Sequence, residues 1–270
     1  MQPSIQPSIP ARTDFRRNAS VLVAAFILSR LLIHFSGLRF QYDAIYDYWQ
    51  YLDVKTLRYN LLAGVWYDHT QPPVFNLFLG AVLKAAPTAA PWIFAAVFKL
   101  IPLINALLLL RILQNVITHR WLPLGLSLLY LLSPGTIVFE NELFYTSLIT
   151  LLFLVSIFYL LRLSGKISWA SAIGFFLPLT IICLTRSMYH VAFLALIAAI
   201  VCYRHRAQTG FSRLIVAAIV SVLLTGGWYM KNYIVFGQFS ASSWLGMNMA
   251  RNIFHDNEIT DSSKIESIPP

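Results

Sequence analysis

From residue 42 to residue 80 the chain reads YDAIYDYWQYLDVKTLRYNLLAGVWYDHTQPPVFNLFLG, a polar, acidic and aromatic island between long apolar runs. Asp43, Asp47, Asp53, Asp68 and His69 all fall inside it, although the whole chain of 270 residues has only 11 Asp and Glu. The island decides the fold because the sequence on either side of it is written for lipid.

Residues 19–35, 91–110, 121–138, 143–161, 169–184, 188–203 and 214–229 are each predominantly apolar. A helix needs about 20 such residues to cross the hydrocarbon, where each backbone polar group must be satisfied within the segment. The composition is 58% hydrophobic and 11% charged, against about 25% charged in an ordinary soluble domain. The expectation is an all-α polytopic membrane protein with about seven spans. A soluble globular class is excluded by this composition.

The formal charge of +9 sits in short clusters between the apolar runs, at Arg16-Arg17, Arg111 to Arg120, Arg162 to Lys166, and Arg204-His205-Arg206. The positive-inside rule accounts for that distribution, so no nucleic-acid partner is expected. Val74 to Ala86 is short for a crossing and carries Asn76 and Lys84. If it crossed, basic loops would face outward and the Glu140 loop inward. Read instead as a juxtamembrane helix, it leaves every basic cluster inside and every acidic loop outside, with Arg186 as the exception.

This reading divides the chain into a flexible cytoplasmic tail over 1–18, a membrane module over 19–236 with its first outer loop at 37–90, and a polar outer-face tail over 237–270. It places the protein in the plasma (inner) membrane with its active face periplasmic or extracellular. A cleaved signal peptide is not expected, since no small-residue cleavage pattern follows the first run. Cys183 and Cys202 lie inside apolar runs without metal-like spacing and read as small buried hydrophobes. There is no Gly-rich phosphate loop or dinucleotide fingerprint.

On this topology one face collects carboxylates, an imidazole and cations beside lipid. A carboxylate there can take the proton of an acceptor hydroxyl, and a cation or metal can stabilise a departing phosphate. Asp43 follows the first span closely, and Asp47 lies one helical turn further. Asp53 opens DVKTL, which also fits a helix N-cap. Pro72-Pro73 hold His69 and Gln71 in place as candidate substrate contacts. Glu140 and Glu142 flank Asn141 and are the candidate ligands of a divalent cation; as surface charges they would simply cap a helix. Arg186, at the end of an apolar run, calls for an anion such as a lipid phosphate, and Lys231 is a second candidate contact beside an interfacial Trp228-Tyr229 anchor.

The ordered combination resembles a family. Asp43 in an acidic first loop, HTQPPVFNLFLG, FENELFYT, LTRSMYH and GWYMKNYIVFGQF are together similar to elements of the polytopic glycosyltransferases of the C-type (GT-C) fold. These use polyprenyl-phosphate sugars and include the protein O-mannosyltransferases and the aminoarabinose transferase of lipid A. The resemblance runs from about Arg16 to Asn252. It implies a juxtamembrane helix between the first two spans and a polyprenyl-phosphate sugar donor. The acceptor would be a glycan, lipid or protein. It also implies a general base in the first loop, Asp43 or its rival Asp53, with Glu140 as a further catalytic candidate. Asp47, His69, Gln71, Glu142, Arg186 and Lys231 would bind substrate. The family usually continues with more spans, so a short or truncated member is expected, and Thr70-Gln71 between histidine and prolines points to a subgroup. The competing class is a lipid-sugar flippase or a non-catalytic lipid-binding subunit. A transporter would carry polar residues at mid-membrane in broken helices, whereas these spans read as nearly clean.

Overall fold

The computed structural model describes residues 12–164 and 166–244. Among them every regular element is a helix, in the order α1 (Arg12–Phe35), α2 (Ala44–Asp47), α3 (Val54–Tyr59), α4 (Leu61–Tyr67), α5 (Pro73–Ala85), α6 (Ala90–Val116), α7 (Leu122–Leu132), α8 (Pro134–Glu140), α9 (Thr146–Leu161), α10 (Trp169–Cys183), α11 (Val191–His205) and α12 (Phe211–Phe236).

Among the described residues, three helices are long and apolar enough to cross a membrane: residues 14–35 of α1, all of α6, and all of α12. The pair α7 and α8 passes the same test as one crossing bent by 51°. Pro134 makes that bend, because it has no N–H to continue the ladder of α7. The remaining apolar runs form α9, α10 and α11, of 16, 15 and 15 residues. At 1.5 Å per residue these reach about 23 Å, against about 30 Å of hydrocarbon. Only 11% of the apolar window of α1 is buried inside the protein. Leu28, Leu32 and Phe35 instead face outward, a surface suited to a bilayer and not to water. The chain is therefore a helical protein of membrane-spanning character.

Helix α1 begins at Arg12, ahead of the apolar run, so residues 12–18, read as tail from the sequence, are helical. Arg17 pairs with Asp14 one turn earlier at 3.4 Å, and Arg111 of α6 stacks on Phe15. Residues 1–11 and most of the expected polar tail, from 245 on, lie outside the described residues.

Two cores hold the bundle. The larger unites the island with α6 and α9 to α12 through residues such as Leu57, Phe75, Leu79, Phe94, Phe98, Phe176 and Leu194. The smaller joins α1, α6 and α7 through Leu22, Ala106, Leu110, Leu124 and Leu131. Helix α5 is short, starts on Pro73, and buries Phe75, Leu79 and Leu83. It packs on α3 and α4, so closely that Gly80 has no room for a Cβ beside Leu61. Cys183 is buried and Cys202 half-buried, both as free thiols.

Candidate functional site

The island and the turn after α8 meet at one end of the bundle. The Gln41 N–H donates to the Asn141 carbonyl at 2.7 Å, and Gln41 and Glu142 form an isolated parallel β-bridge. Tyr42 stacks on Phe94 of α6. Ala44 and Ile45 of α2 are buried in the core, which turns the flanking Asp43 and Asp47 outward to exposed positions. On the opposite wall, Asn141 closes α8 by donating from Nδ2 to the Ile137 carbonyl at 2.9 Å.

Between these walls lies a cavity of about 360 Å³, lined by Arg39, Gln41, Asp43, Asp47, Tyr48, Asn141 and Glu142 with the apolar Leu38 and Val138. Tyr48 donates its hydroxyl to Glu142 Oε1, and this bond is the main cause that pushes the phenol up to about 12. The phenol is thus a neutral donor at physiological pH, and edge contacts with Tyr51 and Phe144 fix its ring. Tyr51 in turn donates to the Leu143 carbonyl at 2.5 Å, and burial raises its pKa. Three carboxylates and one guanidinium share the cavity. Its carboxylates can accept a proton, and Arg39 can hold an oxyanion.

Of the expected site residues, the structure brings Asp43, Asp47 and Glu142 together here, and adds Arg39 and Tyr48. Asp53 is the N-cap of α3 instead, its Oδ1 accepting from Thr56 N at 2.9 Å. Hydrogen bonding from the Thr56 side chain and backbone holds the Asp53 carboxyl below its usual range.

Glu140 points the other way, into the bundle, with 1% of its side chain exposed, against Arg30 of α1. Arg30 Nε donates to both carboxylate oxygens, at 3.0 and 3.1 Å, and Nη2 donates to Oε2 at 2.6 Å. The two glutamates expected to share a cation are therefore turned to separate protein partners. Among the described residues no group of three or more His, Cys, Asp or Glu is gathered as a metal site. The first span, read as nearly clean, contributes Arg30 to this buried ion pair. An arginine near the end of an apolar run, with nothing acidic beside it in sequence, was the available signal.

The DHTQ turn forms a second cluster. Asp68 Oδ1 accepts from Thr70 N at 2.7 Å and from Thr70 Oγ1 at 2.6 Å. His69 Nδ1 lies 2.9 Å from Ser243 Oγ, its ring 4.9 Å from that of Phe236. Ser242 donates its hydroxyl to the Thr70 carbonyl. Lys231 is buried, donating to the carbonyls of Trp66 at 2.9 Å and Asp68 at 3.1 Å, with its ammonium 3.7 Å over the Trp228 ring. It thus ties the end of α12 to the turn between α4 and α5. Gln71 is half-buried ahead of Pro72 and Pro73. Arg186 lies 5.5 Å from the Tyr145 ring, three residues past Glu142, and makes no ion pair among the described residues. His69, Gln71, Arg186 and Lys231 do not line the cavity of Asp43.

No protein-family model, curated protein or solved structure matches this chain.

Proposed function

We propose that this protein is a membrane glycosyltransferase of GT-C type, moving a sugar from a polyprenyl-phosphate donor to an acceptor at the outer face of the inner membrane. One observation carries the reading: Asp43, Asp47 and Glu142 share with Arg39 a cavity at the ends of α1 and α8. Such a place can hold a lipid-linked phosphate while its sugar projects into water. The clusters of Lys and Arg at the opposite ends of the apolar runs support the orientation. The order of motifs in the sequence supports the family.

In this mechanism the acceptor hydroxyl oxygen attacks the anomeric carbon as the bond from that carbon to the phosphate oxygen breaks. The hydroxyl proton passes to Asp43, the exposed cavity carboxylate that follows α1 most closely in the chain, and polyprenyl phosphate leaves with the bonding pair. A single displacement inverts the anomeric carbon. Arg39 holds the departing oxyanion, and Tyr48, kept protonated by Glu142, can donate to the substrate only by releasing that bond. No cofactor is required by this reading; were a divalent cation to bind, Glu142 would be its carboxylate, because both oxygens of Glu140 are engaged by Arg30. It would offset phosphate charge, and no step above depends on it.

A second reading also has an observation behind it. A broken span with a buried ion pair, as in α7 and α8, is a construction that transporters use. Here the two charges saturate one another, which favours a structural joint over a transport path.

The test incubates membranes containing the protein with a panel of radiolabelled polyprenyl-phosphate sugars. Label leaving the lipid for a water-soluble or new lipid product is the expected result. Lipid-linked sugar that crosses the bilayer without transfer would replace the enzyme by a flippase, and binding alone would leave a lipid-binding subunit.

A further inference from the structure

Pro134 breaks the span formed by α7 and α8, and the break frees carbonyls at the end of α7. The Tyr130 carbonyl is taken locally, by Ser133 N at 3.3 Å and Ser133 Oγ at 3.0 Å. The Leu131 carbonyl finds its donor on another helix, in Arg30 Nη2 at 3.0 Å. The same guanidinium grips Glu140, the last residue of α8, and its Nη1 donates to Ser29 Oγ at 2.9 Å. One side chain of α1 therefore bridges the C-terminal ends of both halves of the broken span, where a cation also meets the negative end of each helix. Two residues beyond Glu140, Glu142 enters the cavity.

We propose that Arg30 is a positioning residue that sets the angle between α7 and α8 and so holds Glu142 against Gln41 across the cavity. The corner is closed from both sides: by Arg30 and Glu140 inside the bundle, and by the Gln41 to Asn141 bond at its end. Without the guanidinium, Glu140 loses the partner that offsets its burial and the Leu131 carbonyl loses its donor, so the side-chain tie between α1 and the ends of α7 and α8 is gone and α8 is free to change its angle. The geometric part holds whatever the cavity binds; that the corner serves sugar transfer rests on the glycosyltransferase assignment.

The experiment uses disulfide formation in the full chain, in a background where Cys183 and Cys202 are replaced by alanine. Gln41→Cys with Glu142→Cys reports the corner, and His69→Cys with Ser243→Cys reports the DHTQ cluster, which Arg30 does not touch. Arg30→Gln is expected to slow the first cross-link by about tenfold or more and leave the second unchanged. The exchange Arg30→Glu with Glu140→Arg is expected to restore part of the lost rate. Equal cross-linking at the corner in Arg30→Gln would overturn the proposal. So would equal slowing of both pairs, which marks general destabilisation. If Arg30→Gln fails to fold, Glu140→Ala gives the same contrast, since it removes both oxygens that Arg30 grips on α8. No sugar donor is present, so failure here is separate from failure of the transfer assay.

Discussion

Gln41 and Asn141 are a hundred residues apart in sequence and are joined by a backbone hydrogen bond of 2.7 Å. This bond links the segment leaving α1 with the corner after α8. It sets Asp43, two residues after Gln41, and Glu142, one residue after Asn141, into walls of the same cavity. The cavity carboxylates Asp43 and Glu142 are thus brought together by a backbone contact, not by a sequence motif.

Asp43→Asn is expected to lower sugar transfer by about a hundredfold to ten-thousandfold, the usual contribution of a general base. Asp53→Asn should leave transfer within about twofold, because its carboxylate caps α3 outside the cavity. Initial rates with whichever donor is active decide between the two, and a large loss from Asp53→Asn alone would move the base there.

The apolar runs, the short α5 and the N-cap at Asp53 were legible because they follow from local rules of length, composition and capping. The place of Asp43 just beyond α1, where it lines the cavity, was legible from its position after a span. The partition of the two glutamates was not, since Glu140 and Glu142 differ only in which way the helix end turns them. The turn is set by Arg30, 110 residues away in sequence. Lys231 misled for the same reason: a cation behind two aromatics reads as an interfacial anchor, but two carbonyls of the island draw it into the protein.

Tyr48→Phe should remove one late-titrating phenol from the ultraviolet pH titration of the protein. The folded Tyr48 pKa is raised to about 12, above the ordinary value near 10. Its stabilising contribution is therefore complete below the unfolded pKa and lost as pH rises through the folded one. The gap in thermal stability between wild type and Tyr48→Phe should be constant near neutrality and close above about pH 10. A gap that persists unchanged at pH 12 would deny the Glu142 bond.

Asp53→Ala should cost about 1 kcal/mol through loss of the α3 cap. Because the folded Asp53 pKa is depressed, its contribution is present above the unfolded pKa and disappears as pH falls through the folded one. The difference between the variant and wild type in unfolding scans should thus be seen at pH 7 and shrink in acid. A difference that grows in acid would contradict the cap.

Two glycines separate backbone strain from lack of space. Gly210 has φ +89°, and a Cβ there would lie 2.3 Å from the Ile167 carbonyl oxygen. That oxygen also accepts from Arg213 Nη1 at 2.9 Å, while Ile167 N donates to the Thr209 carbonyl at 2.9 Å. Gly237 has φ +70° and nothing within 4 Å of the same added atom. Gly237→Ala should therefore carry only the conformational penalty, about 1 kcal/mol. Gly210→Ala must also displace a carbonyl that holds two connections together, so its cost should be larger, up to about 3 kcal/mol. Unfolding midpoints of the two variants in one detergent measure the difference. Gly210 lies far along the chain from the cavity residues and contacts none of them, so the cross-link between positions 41 and 142 should form at the wild-type rate in Gly210→Ala.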